Sequence, residues 1–353
     1  MEEFLHHYGL FFAQTITILL VIGGLVILIA SLSSGDEETE KLEIKKLNQR
    51  YKGYTHALNE ALLTKEALKV LKKTEKRREK EKEKERAAAA KTSGSDLSSA
   101  EKRVFVLTFN GDIKASAATA LAEEITAILT VAQPTDEVVV RLYSAGGLVH
   151  AYGLAASQLQ RIRKRNIPLT VAVDKVAASG GYMMACVADK IIAAPFAILG
   201  SIGVVAQIPN LHRLLKKHDI DFELITAGKY KRTLTVFGEN TAEGREKFRQ
   251  EIDETHKLFQ EFITTHRPQV ELERVATGEH WYGTQAIDFK LVDELITSDD
   301  YLMSASETHS VYEVHYTTKK TLAQRFGLFA NETIDRIKSG WQQRSRENQL
   351  NNL

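Results

Sequence analysis

Apolar and polar positions divide this chain into three regimes. Residues 10–32 carry no charged side chain and include a run from Ile16 to Ala30 that is apolar but for Thr17 and two glycines. About 20 apolar residues suffice to cross a bilayer core as a helix. A buried helix of a soluble domain would show a polar stripe, and this run is apolar all round. A cleaved signal peptide would open with a basic segment, whereas Met1 to Gly9 holds Glu2 and Glu3 and no Lys or Arg. The pattern predicts a retained membrane anchor within residues 1–32.

The second regime, residues 33–100, is charged and helical. Ile44, Leu47, Tyr51, Tyr54, Leu58 and Ala61 recur at steps of three and four, a heptad seam that Lys65 interrupts. Such a seam serves self-association or packing on the chain's own domain. From Lys72 to Arg86 every residue but Thr74 is charged. Opposite charges meet at i,i+3 and like charges at i,i+4, so their effects partly cancel. This predicts a marginal, solvated helix or a disordered spacer, closed by Lys91-Thr92-Ser93-Gly94-Ser95.

In the third regime strands alternate with helices. Val104 to Phe109, Glu137 to Leu142, Leu169 to Val173 and Lys190 to Ala194 read as strands. Ala117 to Ala132, Val149 to Arg165 and Thr241 to His266 read as helices, the last opening with capping-box character. Pro209 to Asp219 reads as a short helix and Phe222 to Thr226 as a further strand. The alternation predicts an α/β fold with a largely parallel sheet over residues 101–300. Residues 301–353 form an extension, with a strand near Val311 to Tyr316 and an amphipathic helix from Leu322 to Trp341.

Charge and composition narrow the function classes. The formal net charge of +1 gives no whole-chain case for nucleic acid. The single Cys186 excludes an intrachain disulfide. Basic residues follow the anchor (Lys41, Lys45, Lys46, Arg50, Lys52) and none precedes it, so the positive-inside rule favours a cytoplasmic carboxyl side. The chain has no zinc-type Cys/His cluster, no H-E-x-x-H and no P-loop. No metal or organic cofactor is implied.

The chemistry concentrates in three glycine turns, each after an apolar strand: Ser144-Ala145-Gly146-Gly147, Ala178-Ser179-Gly180-Gly181 and Gly200-Ser201-Ile202-Gly203. Parallel α/β sheets carry their sites beyond the carboxyl ends of strands. Paired glycines let backbone N–H groups approach a substrate, and two aimed at one point make an oxyanion hole. Ser179, lying among small residues, and Lys231, in Ala227-Gly228-Lys229-Tyr230-Lys231, supply what a serine–lysine hydrolase needs. A serine hydroxyl needs a base to take its proton, and a lysine can act as one once desolvation favours its neutral form. Ser179 lacks the G-x-S-x-G context because residue 177 is alanine. His150, His256, His266 and His280 have no local triad signature.

Together these segments resemble the signal peptide peptidase family of membrane serine proteases. The resemblance rests on Asp174 to Ala185, Gly200 to Val204, Gly228 to Arg232 and Gly278 to Gly283, and it spans the anchor, the spacer and the domain. It implies a ClpP/crotonase-type fold, Ser179 as nucleophile, Lys231 as general base and Ser201 as the residue that orients the lysine. It also implies oxyanion donors among Gly146, Gly147 and Gly180, a polypeptide substrate, and a homo-oligomer. The setting it implies is the bacterial inner membrane, with residues 10–32 in the lipid bilayer; it allows a periplasmic domain as well as the cytoplasmic one. One departure stands out: where the family has S-P-G-G, residue 145 is alanine. The expected activity is that of a membrane-anchored serine endopeptidase acting on signal-peptide remnants or other membrane and envelope polypeptides. The alternatives are a catalytically silent interaction protein on the same fold and a crotonase-like acyl-CoA enzyme.

Overall fold

The computed structural model describes residues 2–33, 40–92 and 102–318. The amphipathic helix expected at Leu322 to Trp341 lies outside them, as does the linker at 93–101. The elements run, in order, α1 (Glu2–Ser33), β1 (Glu40–Lys46), α2 (Leu47–Leu62), α3 (Lys65–Thr92), β2 (Arg103–Asn110), α4 (Ala118–Leu129), β3 (Glu137–Tyr143), α5 (Val149–Arg163), β4 (Leu169–Val173), β5 (Val176–Ala178), α6 (Gly180–Ala185), β6 (Lys190–Ala193) and β7 (Ile198–Gly200). There follow α7 (His212–Lys217), α8 (Ala242–His266), α9 (Leu272–Val275), β8 (His280–Tyr282), α10 (Gly283–Ala286), β9 (Glu294–Leu295), α11 (Ser298–Thr308) and β10 (Ser310–Thr318).

The chain forms two compact units, residues 1–42 with 316–353, and residues 43–315. In the first, α1 carries the apolar stretch His6–Leu25, whose side chains are unburied and which is long and apolar enough to cross a membrane.

The second unit is built on a seven-stranded sheet of order β1-β10-β2-β3-β4-β6-β9. Neighbours from β10 through β9 pair in parallel. Side chains alternate across each strand. Phe105, Leu107 and Phe109 of β2 face one side with Val138, Val140 and Leu142 of β3, against α4, α5, α6 and α8. Val104, Val106, Val139, Ala172 and Ile192 face the other, against Leu47, Tyr51, Tyr301 and Leu302. Burial on both faces is what turns these strands into continuous apolar runs in the sequence.

A smaller sheet of order β5-β7-β8 stands beside the large one, with β5–β7 parallel and β7–β8 antiparallel. It carries the second and third glycine turns.

Two local expectations need correcting. Residues 40–46 form a strand, so Ile44 does not continue a helical seam into Leu47. The start of α2 docks on its own domain: Leu47 is buried, and Asn48 donates to the Ser306 and His309 carbonyls and accepts from the Val311 N–H. Phe222 to Thr226 forms no strand; it lies in an irregular, exposed stretch with no neighbouring strand to pair with among the described residues. The expected strand near Val311 is present as β10, and Thr241 caps α8 by accepting the Gly244 N–H.

Candidate active site

Three loops meet where the two sheets join. Ser144, directly after β3, bridges to Ala177 of β5: its N–H donates to the Val176 carbonyl at 2.9 Å, and its own carbonyl accepts the Ala178 N–H at 3.0 Å. The Ser179 N–H donates to the Gly200 carbonyl at 2.8 Å, and the Ser201 N–H to the Glu279 carbonyl at 2.6 Å. The three turns are thereby stitched into one surface.

Ser179 sits between β5 and α6 with φ +52° and ψ −119°. A non-glycine residue in such a region costs on the order of 1–3 kcal/mol and persists only where surrounding contacts over-determine it. Here they do: the next six residues, Gly180 to Ala185, are all buried. The result is a sharp strand-to-helix turn with the partly buried Ser179 at its tip, in a sequence that lacks G-x-S-x-G. Ser179 Oγ makes no hydrogen bond among the described residues.

The first turn packs directly on this serine. A Cβ added to Gly146 would lie 2.7 Å from the Gly180 nitrogen and 2.8 Å from Ser179 Cβ, and Gly146 has φ +89°. Only glycine fits on both counts. The Gly146 N–H donates to Ser144 Oγ at 3.0 Å and is thus committed to the turn itself. The Gly147 and Gly180 N–H groups donate to nothing among the described residues. Below them lies Tyr152 of α5, fully buried, its phenol pushed up from its ordinary pKa by desolvation.

The lysines of the G-x-Y-K segment differ in their surroundings. Lys229 pairs with Glu243, Nζ to Oε1 2.6 Å, and lies over the Tyr230 ring. The hydrogen bond to Glu243 raises its pKa above the usual lysine value. Lys231 is exposed and hydrogen-bonds neither Ser179 nor Ser201 among the described residues. Backbone hydrogen bonds thus tie Ser179, Ser201 and the glycine turns together, and the Lys231 side chain makes none to them among the described residues. The stretch from Val205 to Arg232 around Lys231 is almost wholly exposed, apolar side chains included: Val205 (82%), Ile225 (91%), Leu214, Ile220, Phe222 and Leu224.

Sequence reasoning passed over Ser144 and Tyr152 as site residues. Ser144 was visible only as the first residue of a glycine turn, and Tyr152 only as one apolar position of a helix.

A serine on a strained turn beside two backbone amides that lack partners among the described residues is the kind of arrangement serine hydrolases use. The chain belongs to peptidase family S49, a family of serine peptidases: the pattern described as "Peptidase family S49 N-terminal" matches residues 3–159 and "Peptidase family S49" matches residues 161–312. It is 52% identical over 339 residues to a Haemophilus influenzae protein named "Probable protease SohB", covering 96% of each chain. A protein of the same name from Buchnera aphidicola subsp. Schlechtendalia chinensis is 46% identical over 303 residues, 86% of this chain and 99% of that one. Among solved structures, a mutant form of the "1510-N membrane-bound stomatin-specific protease" matches with a TM-score of 0.34 at 17% identity, over 58% of this chain and 84% of that one. The resemblance drawn from the motifs is thus borne out, and the substrate of a peptidase is a polypeptide.

Proposed function

We propose that this chain is a membrane-anchored serine endopeptidase working through a Ser179–Lys231 dyad. The observation that carries the reading is the strained turn at Ser179, held with Gly147 and Gly180 N–H groups that have no other use. Lys231 Nζ accepts the proton of Ser179 Oγ as that oxygen attacks the peptide carbonyl. The carbonyl oxygen becomes an oxyanion, held by the Gly147 and Gly180 N–H groups, while Gly146 serves by its shape. The Lys231 ammonium returns the proton to the leaving amine as the C–N bond breaks. Water, deprotonated by the same lysine, then hydrolyses the ester on Ser179. Ser201, next to Ser179 through Gly200, orients the amine.

A homo-oligomer fits this reading. Apolar side chains exposed from Val205 to Ile225 call for a cover, since contiguous apolar patches of this kind mark interaction surfaces. A second copy laid over the segment would supply the desolvated setting that a lysine base needs. We assign the α1 helix to the bacterial inner membrane and the substrates to signal-peptide remnants or other membrane and envelope polypeptides.

The test is turnover of casein and of signal-peptide-derived peptides by the purified full-length chain, with Ser179→Ala alongside. Cleavage by the parent and none by the variant is the expected result. An equally active Ser179→Ala protein overturns the nucleophile. A monomer in detergent with full activity overturns the oligomer.

A further inference from the structure

Ser144, Tyr152 and Asp112 form a hydrogen-bond chain whose direction is fixed by elementary counting. Tyr152 Oη donates to the Asp112 backbone carbonyl at 2.7 Å. A phenol has one hydrogen to give. The 2.6 Å contact between the Tyr152 and Ser144 hydroxyls therefore runs from Ser144 Oγ–H to the Tyr152 oxygen. Ser144 Oγ in turn accepts the Gly146 N–H at 3.0 Å. Each hydrogen is used once, from Gly146 to Ser144 to Tyr152 to Asp112, and both side chains are fully buried.

The same tyrosine touches the other half of the site with its ring. A Cβ on Gly180 would stand 2.5 Å from Tyr152 Cγ, so the ring lies flush against the Cα of the residue after Ser179. Gly111 closes the chain from behind: a Cβ there would lie 2.5 Å from both hydroxyl oxygens. The Gly146–Gly147 turn needs such support. Glycines leave the backbone free, and Ala145 fixes no angle.

We propose that Tyr152 is a positioning residue for the oxyanion site, its hydroxyl holding the Gly146–Gly147 turn through Ser144 while its ring seats Gly180. It touches no substrate. It sets the separation of two N–H donors that belong to different loops. The inference rests on the reading of Gly147 and Gly180 as those donors. Oxyanion donors act chiefly in the transition state, so loosening them lowers kcat and leaves KM nearly alone.

The experiment measures kcat and KM of the full-length protein on one peptide at a temperature well below every variant's Tm. The variants are Tyr152→Phe, Ser144→Ala, their double and Ser179→Ala. Tyr152→Phe and Ser144→Ala should each lower kcat about 10- to 100-fold, less than the roughly 10²–10³-fold lost when an oxyanion donor is removed outright, with KM within about twofold. The double variant should be no worse than the poorer single, because both cut one chain. Should Tyr152→Phe not fold, Ser144→Ala carries the test with the ring intact. A purely structural role would lower Tm and leave kcat at the parent value; that result in both singles, with Ser179→Ala inactive, overturns the positioning role alone. An active Ser179→Ala protein overturns the nucleophile reading and this inference with it.

Discussion

Lys229 Nζ lies 2.6 Å from Glu243 Oε1, whereas Lys231, two residues further along, has no ion-pair partner among the described residues. Adjacency in sequence cannot tell these lysines apart, and their partners do. A carboxylate at hydrogen-bond distance holds Lys229 in its charged form, the wrong form for accepting a proton. We expect Lys231→Arg to lose at least about 100-fold in kcat, because an arginine stays protonated at any workable pH. Lys229→Arg should keep most activity and its pair with Glu243. Rates of the parent and both variants check both statements, and a Lys231→Arg protein as active as the parent would remove Lys231 from the mechanism.

The strain at Ser179 separates two inactive variants. Ser179→Ala keeps a side chain at φ +52°, and Ser179→Gly does not. Both should be inactive. The glycine variant should be the more stable of the two by about 1 kcal/mol, since glycine takes positive φ without steric cost. Urea midpoints of the two proteins measure this. A glycine variant that unfolds earlier than the alanine one would show that the turn is not strained.

Arg267 is a buried cation whose loss of partner should be costly. Only 1% of its side chain is exposed; it grips both Asp293 oxygens at 2.8 and 2.9 Å and the Lys290 carbonyl at 2.8 Å. Asp293 Oδ2 also accepts the Ile191 N–H of β6. Asp293→Ala should destabilise the domain by about 3 kcal/mol, the lower end for a broken buried pair because Asp293 is itself a third exposed. Denaturant titration of the variant reads it. A shift below about 1 kcal/mol would mean that water reaches Arg267 once its partner is gone.

The helix α1 should hold the chain in the bilayer. Full-length protein should stay with membranes through a carbonate wash, and a chain beginning at Glu40 should partition to the supernatant, because the span His6–Leu25 has no buried face of its own. Full-length protein in the washed supernatant would refute the anchor.

How much of this was legible in the sequence follows from which forces are local. The central strands were readable because parallel strands buried on both faces become unbroken apolar runs, as in Val104 to Phe109 and Leu169 to Val173. The three glycine turns were readable because glycine marks tight backbone. The strand at 40–46 was not: only Leu42 and Ile44 break its run of charged residues, and its pairing comes from a strand far along the chain. Phe222, Leu224 and Ile225 misled in the opposite sense, looking like a strand while having none beside them. The link from Ser144 through Tyr152 to Asp112 was invisible, since it joins three elements by single atoms.

The stitching of the three turns has a consequence for when this protein becomes dangerous to its neighbours during synthesis. Ser179 leans on Gly200, and Ser201 leans on Glu279, which emerges from the ribosome long after Ser179 and Lys231. A chain that ended at Val275 would contain Ser179 and Lys231 and still lack β8 and the carbonyl that holds Ser201. Under the proposed mechanism, possession of both residues is not enough: the site is complete only once the late segment has folded back, so a truncated chain should be born blunt.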